Sequence, residues 1–184
     1  MHIEENGNIT PCCVMPSNIH FVANGIDNYF KSETLAEIKQ YFKENKQHPH
    51  CQFCWDAERN GVRTQRSSSK LDLSKLQKIH LRFNNICNFK CRMCNPKFSS
   101  TWAEENKIHN YFKHTYTLDK DIFKSTDDLY KLILDNRNTI KQINISGGEP
   151  LITKINYRFL KFLIVNKLTH IALAYSTNLS RIDY

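Results

Sequence analysis

Three cysteines within eight residues constrain this chain more than any other feature. Cys87, Cys91 and Cys94 have the spacing C-x3-C-x2-C. They follow the alternating apolar residues Ile79 and Leu81, which predict a β-strand. Because α/β folds place their chemistry at the carboxyl ends of strands, the sequence predicts a thiol site at a strand end.

Three closely spaced thiols are one fewer than most metal sites use. Structural zinc and ordinary iron–sulfur clusters take four protein ligands. A [4Fe–4S] cluster held by three cysteines would leave one iron with an open coordination position. The alternatives are a four-ligand zinc site completed by a distant cysteine, or three unrelated buried thiols. The cysteine spacing alone leaves these interpretations open.

A second motif follows about fifty residues later. Residues 142–146 alternate like a strand and lead into Gly147, Gly148, Glu149 and Pro150. A glycine pair lets the backbone approach a ligand closely, and Glu149 offers an acceptor to a cationic group. Pro150 fixes the direction of the exit. Taken alone, this motif is better explained as a turn that carries a carboxylate.

Together, the two motifs resemble the radical S-adenosylmethionine (radical SAM) superfamily. The resemblance implies that the three cysteines bind a [4Fe–4S] cluster and that the Gly-Gly-Glu-Pro turn binds the amino end of S-adenosylmethionine. Ser176 and Asn178, at the end of a third predicted strand, are further candidates for contacts with this cofactor. A plain turn explains that stretch equally well. The predicted site residues are therefore Cys87, Cys91, Cys94, Gly147, Gly148, Glu149, Pro150, Ser176 and Asn178.

The resemblance also implies a reaction. Reductive cleavage of S-adenosylmethionine gives a 5′-deoxyadenosyl radical, which abstracts hydrogen from a substrate. The electron comes from a donor such as flavodoxin or ferredoxin, and the substrate class suggested is a peptide or protein. The alternative from a different functional class is a non-catalytic iron–sulfur or zinc-binding module that needs a partner chain.

Four further cysteines lie in the first part of the chain. Cys12 and Cys13 are adjacent, and Cys51 and Cys54 form a C-x-x-C pair predicted as a hairpin-like knuckle. Together they could complete a second site for an iron–sulfur cluster or zinc, or they could bind no metal. The segment 1–70 resembles the auxiliary twitch or SPASM segments of radical SAM enzymes. Those segments usually follow the barrel, whereas this one precedes it.

Residues 71–184 have the pattern of an α/β domain. The resemblance implies a partial radical SAM-type (β/α) barrel of about three βα units. The predicted strands are 78–84, 141–146 and 169–176, and the predicted helices are 98–113, 126–137 and 153–167, after a helix at 32–46 in the first part. The apolar stripes predicted for the three later helices are, in chain order, Ile108, Tyr111 and Phe112; Leu129, Leu132 and Ile133; and Ile155, Phe159, Phe162 and Leu163. One face of the strands is apolar, and the other should face a lumen that suits a substrate. The residues predicted on that face are His80, Arg82, Asn84, Asn144, Ser146 and Ser176. A structural ion pair is an equal alternative for His80 and Arg82.

The number of βα units is smaller than the resemblance implies. Radical SAM barrels usually have six units, so we expect a truncated sequence, or a half barrel that a partner chain completes. A half barrel would also expose the edge of a parallel strand, which proteins seldom leave uncovered.

Composition limits the remaining possibilities. The chain has 184 residues, of which 40% are hydrophobic, enough for one core. It has no run of eighteen apolar residues and no signal peptide, so we expect a cytoplasmic protein without a membrane anchor. The net charge of +8 would suit a nucleic-acid partner. No basic run interleaved with aromatic residues stands out, so nucleic-acid binding is disfavoured.

Overall fold

A five-stranded sheet with the strand order β2-β1-β3-β4-β5 organises the chain. The computed structural model describes residues 1–4, 8–15, 26–68, 72, 74–113 and 126–181. Strand β2 is antiparallel to β1, and all other neighbouring strands are parallel. The predicted α/β class is confirmed, whereas the strand order is linear and a closed barrel is not shown. The strands are β1 (His2–Ile3), β2 (Ile9–Thr10), β3 (Lys78–Arg82), β4 (Gln142–Ser146) and β5 (Ala172–Tyr175).

Seven α-helices lie within the described residues. Helix α2 begins after Ser32, whose hydroxyl accepts a hydrogen bond from the Leu35 N–H at 3.3 Å, as expected of an N-cap. No helix in the described ranges is long and apolar enough to cross a membrane. The helices are α1 (Ile26–Phe30), α2 (Glu33–Lys43), α3 (Gln52–Arg59), α4 (Gln65–Ser68), α5 (Ser100–His109), α6 (Thr126–Asp135) and α7 (Lys154–Val165).

The core lies on one face of the sheet. Alternate residues of β3 and β4 point to this face and are fully buried, as the period of two in a strand requires. Helices α6 and α7 cover them, and Tyr130 stacks on Phe162 with ring centroids 3.9 Å apart. The predicted apolar stripes of these two helices and the apolar faces of β3 and β4 are confirmed. The main buried residues are Ile79, Leu81, Leu129, Leu132, Ile133, Ile143, Ile145, Ile155, Phe159 and Leu163.

Residues 2–3 and 9–10 belong to the sheet, which the sequence analysis missed. Strand β1 pairs with β3 in parallel, and β2 pairs with the far side of β1. One edge of the parallel strands, that of β3, is therefore covered from within the chain. Two-residue strands are too short to show a period, and the pairing of β1 with β3 joins His2 to the distant His80. The predicted boundary at 70/71 falls on residues outside the described ranges.

Two local predictions were wrong. Helix α5 does not bury the predicted stripe, because Ile108 is 78% exposed and Tyr111 is 61% exposed. It instead buries small and polar residues such as Ala103 and Asn106. The predicted C-x-x-C knuckle is helical: Cys51 ends a 3-10 turn and Cys54 lies in the first turn of α3.

We expect the fold to lose stability in mild acid because of His2. This side chain is 2% exposed, and burial, with Arg82 and His80 nearby, lowers its pKa to about 3 from an ordinary value of 6.5. Between these two pH values the unfolded chain takes up a proton that the native histidine refuses. The contribution of His2 to the free energy of unfolding is therefore fully present above about pH 6.5. It falls by about 1.4 kcal/mol per pH unit as the pH drops towards 3.

Urea unfolding at pH 7 and pH 4.5 checks this expectation. A His2→Phe variant should lose less stability over that interval than the wild type, and a His109→Gln variant, changed at an exposed histidine, should behave as the wild type. Equal losses in wild type and His2→Phe would contradict the assignment.

Candidate functional site

The three predicted cluster cysteines lie on the loop that follows β3, and all three are partly exposed. The Cys94 N–H donates to the Cys91 carbonyl at 2.9 Å, which closes a turn between them. Burial raises the pKa of the Cys94 thiol, and the nearby Cys91 and Cys87 thiols raise it further. The three thiols are thus close enough to interact electrostatically. We call residues 87–94 the cysteine loop.

The amino end of α5 holds the cysteine loop in place. The Cys87 N–H donates to the Ser100 hydroxyl at 3.0 Å, and that hydroxyl lies 3.2 Å from the Cys87 carbonyl. Two further hydroxyls, of Ser99 and Thr101, donate to the Phe89 carbonyl at 2.8 and 2.9 Å. The N–H and the carbonyl of Cys87 and the carbonyl of Phe89 are therefore paired with hydroxyls of this segment rather than with thiols.

Trp102 supports the middle of the same loop. Its indole Nε1–H donates to the Cys91 carbonyl at 3.0 Å. Sequence reasoning missed this group of supporting residues. The run Ser99-Ser100-Thr101 could have indicated these residues from the sequence, because hydroxyl side chains of this kind are typical of the start of a helix.

The Cys87 sulfur accepts hydrogen bonds from two directions. The Phe89 N–H lies 3.5 Å from it, and the Asn178 amide nitrogen lies 3.9 Å from it. The same Asn178 amide donates to the Asn88 side chain at 3.2 Å. Such donors stabilise thiolate ligands in metal sites. The structure thus brings Asn178 to the cysteine loop, and its expected contact with a cofactor stays a prediction.

The glycine turn packs directly against Asn85 and Ile86, the two residues that precede the cysteine loop. Gly147 and Gly148 have φ angles of +86° and +57°, which L side chains rarely adopt. A Cβ on Gly148 would overlap the Ile86 carbonyl oxygen and lie 2.8 Å from the Asn85 carbonyl carbon. The two motifs, about fifty residues apart in sequence, are therefore adjacent in the fold, and both glycines are required by geometry.

Two backbone hydrogen bonds hold the glycine turn against the residues that flank the cysteine loop. The Gly148 N–H donates to the Phe98 carbonyl at 3.1 Å, and the Glu149 N–H donates to the Ile86 carbonyl at 2.7 Å. Pro150 follows as the first residue of a 3-10 turn, which its fixed φ favours.

Glu149 is an anchor inside the protein in this structure. Its side chain is 1% exposed and accepts three hydrogen bonds. The donors are the Leu151 N–H at 3.0 Å, the Thr177 hydroxyl at 2.6 Å and the Asn178 N–H at 2.6 Å. The carboxylate therefore ties the loop after β5 to the glycine turn. Its expected role towards a cationic group stays a prediction.

The residues predicted on the lumen face differ from one another in what their side chains contact. Arg82 pairs with Glu4 at 3.6 Å and lies over the Phe98 ring, so the ion-pair interpretation holds for Arg82. His80 forms a 2.6 Å hydrogen bond with Ser146 rather than an ion pair. A cavity on this face is lined by His80, Asn144 and Ser176, among others. Ser176 therefore lies on a cavity wall, and its predicted cofactor contact stays a prediction.

Of the four cysteines in the first part of the chain, three lie near one another and the fourth is exposed. Burial raises the pKa of the Cys51 thiol to about 11, with contributions from Cys12 and Cys54. Burial also raises the pKa of Cys12; a hydrogen bond from the Val14 backbone opposes the rise, and Cys13 and Cys54 add to it. Cys12, Cys51 and Cys54 thus lie near one another, whereas Cys13 is exposed.

Neither group of cysteines is arranged around a single metal ion. Within the described ranges, no set of three or more His, Cys, Asp or Glu side chains could hold one as it stands. A [4Fe–4S] cluster binds each cysteine sulfur to a different iron, so its thiols need not converge on one point. Three thiols on one loop, with backbone groups already paired and N–H donors facing Cys87, fit such a cluster by their chemistry.

The cysteine loop and its flanks are basic in sequence. The stretch 86–98 contains Lys90, Arg92 and Lys97 and no Asp or Glu. Lys90 pairs with Glu105 and Lys97 pairs with Glu4, so carboxylates from other parts of the chain balance both lysines. Met93, within the loop, is 92% exposed.

Comparison with known proteins gives two partial similarities. The chain is 31% identical over 102 residues to a GTP 3′,8-cyclase of Campylobacter lari and 29% identical over 104 residues to the GTP 3′,8-cyclase of Aliarcobacter butzleri. These regions cover 55% and 56% of this chain but 27% and 28% of the two relatives, so the chain spans about a quarter of their length. No family model matches, and no solved structure gives a significant match. The similarities support the radical SAM superfamily at a coarse level.

Proposed function

We propose that this chain carries the cluster-binding and cofactor-binding part of a radical SAM enzyme. The observation that carries this proposal is that the glycine turn lies beside the cysteine loop, against the residues that flank it. Gly148 lies against the backbone that precedes Cys87, and Asn178 connects the Glu149 carboxylate to the Cys87 sulfur. Two short motifs that matched the superfamily by chance would not be expected to lie side by side in the fold. Their meeting at the carboxyl ends of parallel strands is what a shared cofactor site requires.

Each part of the site has a proposed task. Cys87, Cys91 and Cys94 would hold a [4Fe–4S] cluster and leave one iron open, and the turn 147–150 would hold S-adenosylmethionine beside it. When bound, the cluster supplies the electron that cleaves S-adenosylmethionine to a 5′-deoxyadenosyl radical. The hydroxyls of Ser99, Ser100 and Thr101 keep the loop backbone paired, so the thiols stay directed to the cluster.

Electron donor and substrate are parts of the proposal. A reduced flavodoxin or ferredoxin would supply the electron, and hydrogen abstraction would act on a peptide or protein, as the auxiliary segment implies. Because the similarity covers about a quarter of each relative, we carry over the radical chemistry and not the substrate. The alternative, a non-catalytic metal-binding module, is an outcome of the experiment below.

A second metal site is a separate proposal. Cys12 and Cys54 raise the pKa of the Cys51 thiol, Cys54 also raises the pKa of the Cys12 thiol, and Cys13 lies next to Cys12. Binding an iron–sulfur cluster or zinc would require the exposed Cys13, or another ligand, to move inward. Metal analysis distinguishes the possibilities, because two [4Fe–4S] clusters give about eight irons per chain and one gives about four.

The proposal is tested by anaerobic reconstitution of the full chain with iron and sulfide. The protein is reduced, S-adenosylmethionine is added, and 5′-deoxyadenosine is measured by chromatography. We expect product from the wild type and a loss of at least a hundredfold in Cys91→Ala, because one cluster ligand is missing. Arg92→Gln is the matched control, since it changes an exposed neighbour in the same loop.

The outcomes separate the two functional classes. Product that depends on Cys91 and not on Arg92 supports radical chemistry on this chain. A fully loaded cluster without product would contradict the enzyme proposal and favour the metal-binding module. Equal product from wild type and Cys91→Ala would overturn the assignment of the loop.

A further inference from the structure

Helix α7 has a basic surface to which the proposed function assigns no role. Its charged residues are Lys154, Arg158 and Lys161, and it contains no Asp or Glu. In the other helices of the described ranges that have two or more charged residues, acidic side chains equal or outnumber basic ones. The stretch 150–181 contains five Lys or Arg residues and no Asp or Glu, which is more than half of the net charge of +8. The positive charge of the chain is therefore concentrated here.

The three cations form a row on the outer side of α7. Positions 154, 158 and 161 lie within about 60° of one another around a helix of 3.6 residues per turn. All three side chains are exposed. The opposite side of the helix is buried in the core through Ile155, Phe159 and Leu163. The row therefore faces away from the core along most of the helix.

Within the protein this row of charges is unfavourable. Lys154 is the first residue of α7, where the positive end of the helix dipole repels a cation. Like charges repel at three- and four-residue spacings, which are those between Lys154 and Arg158 and between Arg158 and Lys161. In the described ranges none of the three takes part in an ion pair or a side-chain hydrogen bond. Rules of local electrostatics that are broken without compensation in the fold indicate a surface used for binding.

The neighbouring helix shows the usual compensation. On α6, Lys131 pairs with Asp135, four residues later, at 2.6 Å. The two helices pack side by side, since Tyr130 of α6 stacks on Phe162 of α7. An exposed helix in this fold thus balances its lysine with its own carboxylate, and α7 has no carboxylate to do so.

Exposed apolar side chains lie beside the cations near the carboxyl end of α7. Ile164 is 66% exposed, Val165 is 69% exposed, and Tyr157 is 38% exposed. The surface that they share with the cations is about 18 Å long, because α7 has twelve residues that each rise 1.5 Å. We call it the α7 outer face, and it consists of Lys154, Tyr157, Arg158, Lys161, Ile164 and Val165.

The arrangement of the α7 outer face favours a protein as the partner. A helix that lies on a membrane buries a continuous apolar stripe in lipid and keeps its cations at the sides. The apolar stripe of α7 is buried in the core instead, and cations occupy the middle of the outer face. A nucleic-acid backbone would pair with the cations but would offer nothing apolar to Ile164 and Val165. A protein surface can supply both carboxylates and apolar contacts.

We propose that the α7 outer face is a docking site for a partner protein with an acidic surface. Carboxylates of the partner would pair with Lys154, Arg158 and Lys161, and apolar side chains would cover Ile164 and Val165. One helix face is small for an interface, so the complex would be transient and sensitive to salt. This docking does not depend on a cluster, so it stands or fails separately from the radical chemistry.

Fluorescence anisotropy of the full chain, with and without a reconstituted cluster, tests the proposal. The probe is a labelled synthetic helix with glutamates at three- and four-residue spacings beside two leucines. A short oligothymidylate and vesicles of phosphatidylcholine with phosphatidylserine represent nucleic acid and membrane. We expect the acidic helix to bind at least about tenfold tighter than the oligothymidylate, equally with and without the cluster, and more weakly at high salt. The vesicles should not bind.

Two triple variants separate the α7 outer face from net charge. The first changes the row, and it should weaken binding of the acidic helix at least about tenfold. Because repulsion is removed, this variant should unfold at the same urea concentration as the wild type or a higher one. The second removes the same charge from exposed positions of α2, α5 and α6, and it should bind within about twofold of the wild type. The variants are Lys154→Gln with Arg158→Gln and Lys161→Gln, and Lys43→Gln with Lys107→Gln and Lys131→Gln.

A third variant tests the apolar part of the face. Ile164→Gln combined with Val165→Gln should weaken binding of the acidic helix and leave its salt dependence unchanged, since both residues are exposed and uncharged. Four results would overturn the proposal: no binding of the acidic helix at millimolar concentration, tighter binding of the oligothymidylate or the vesicles, equal weakening in the two triple variants, or a lower urea midpoint in the first of them.

Discussion

Gly148→Ala is expected to disrupt the site more than any other single methyl addition. A side chain at φ +57° costs about 1–2 kcal/mol, and the overlap with the Asn85–Ile86 backbone adds about 1–3 kcal/mol. The neighbouring atoms are backbone, so they cannot rotate away. We therefore expect a loss of about 2–5 kcal/mol in the free energy of unfolding, together with poor iron loading, because the cysteine loop would be displaced.

Gly61→Ala is the matched control for that variant. Gly61 also has a positive φ, of +75°, but a Cβ there would meet nothing within 4 Å. It should lose only the backbone term of about 1–2 kcal/mol and load iron normally. Urea unfolding and iron analysis of both variants measure the difference. Equal losses of stability and equal iron loading would show that the close contact between the two motifs has no energetic importance.

Glu149→Gln is expected to have the second-largest effect. The carboxylate accepts three hydrogen bonds in a fully buried position, and an amide turns one acceptor oxygen into a donor group that faces another donor. Hydrogen bonds to charged groups contribute about 1.5–3 kcal/mol, so we expect a loss of about 2–4 kcal/mol in the free energy of unfolding. Asn178 should then separate from Cys87, and less iron should be retained.

The control for Glu149→Gln is Glu104→Gln, which makes the same chemical change at an exposed position on α5. Urea unfolding should show a change within about 0.5 kcal/mol for that variant. If Glu149→Gln unfolded at the wild-type urea concentration and bound as much iron, Glu149 would not be the anchor described above.

The sequence predicted those parts of the molecule that depend on local pattern. The strands 142–146 and 78–82 and the helices α2, α6 and α7 have clear periods of two or 3.6, and the structure has them near the predicted bounds. Pairing across the chain could not be read in this way. Strands β1 and β2 have two residues each. The pairing of β1 with β3, and of β2 with β1, depends on contacts between distant parts of the chain, which no local pattern indicates.

The site shows the same division. Spacing identified Cys87, Cys91 and Cys94, and the glycine pair identified the turn that meets them. The sequence did not show that Glu149 would be saturated by Thr177 and two backbone N–H groups, because these donors come from different strands' ends. The helix predicted at 98–113 is present as α5, but its predicted apolar stripe was wrong for a related reason: α5 buries small and polar residues, and its amino end contacts the cysteine loop.

One measurement tests the central claim most directly: the electron paramagnetic resonance spectrum of the reduced, reconstituted protein, recorded with and without S-adenosylmethionine. We expect a [4Fe–4S] signal that requires Cys87, Cys91 and Cys94, and a change in that signal when S-adenosylmethionine is added, because an open iron gains a new ligand. A signal that S-adenosylmethionine leaves unchanged, or a protein that binds zinc in place of iron, would contradict the proposed site.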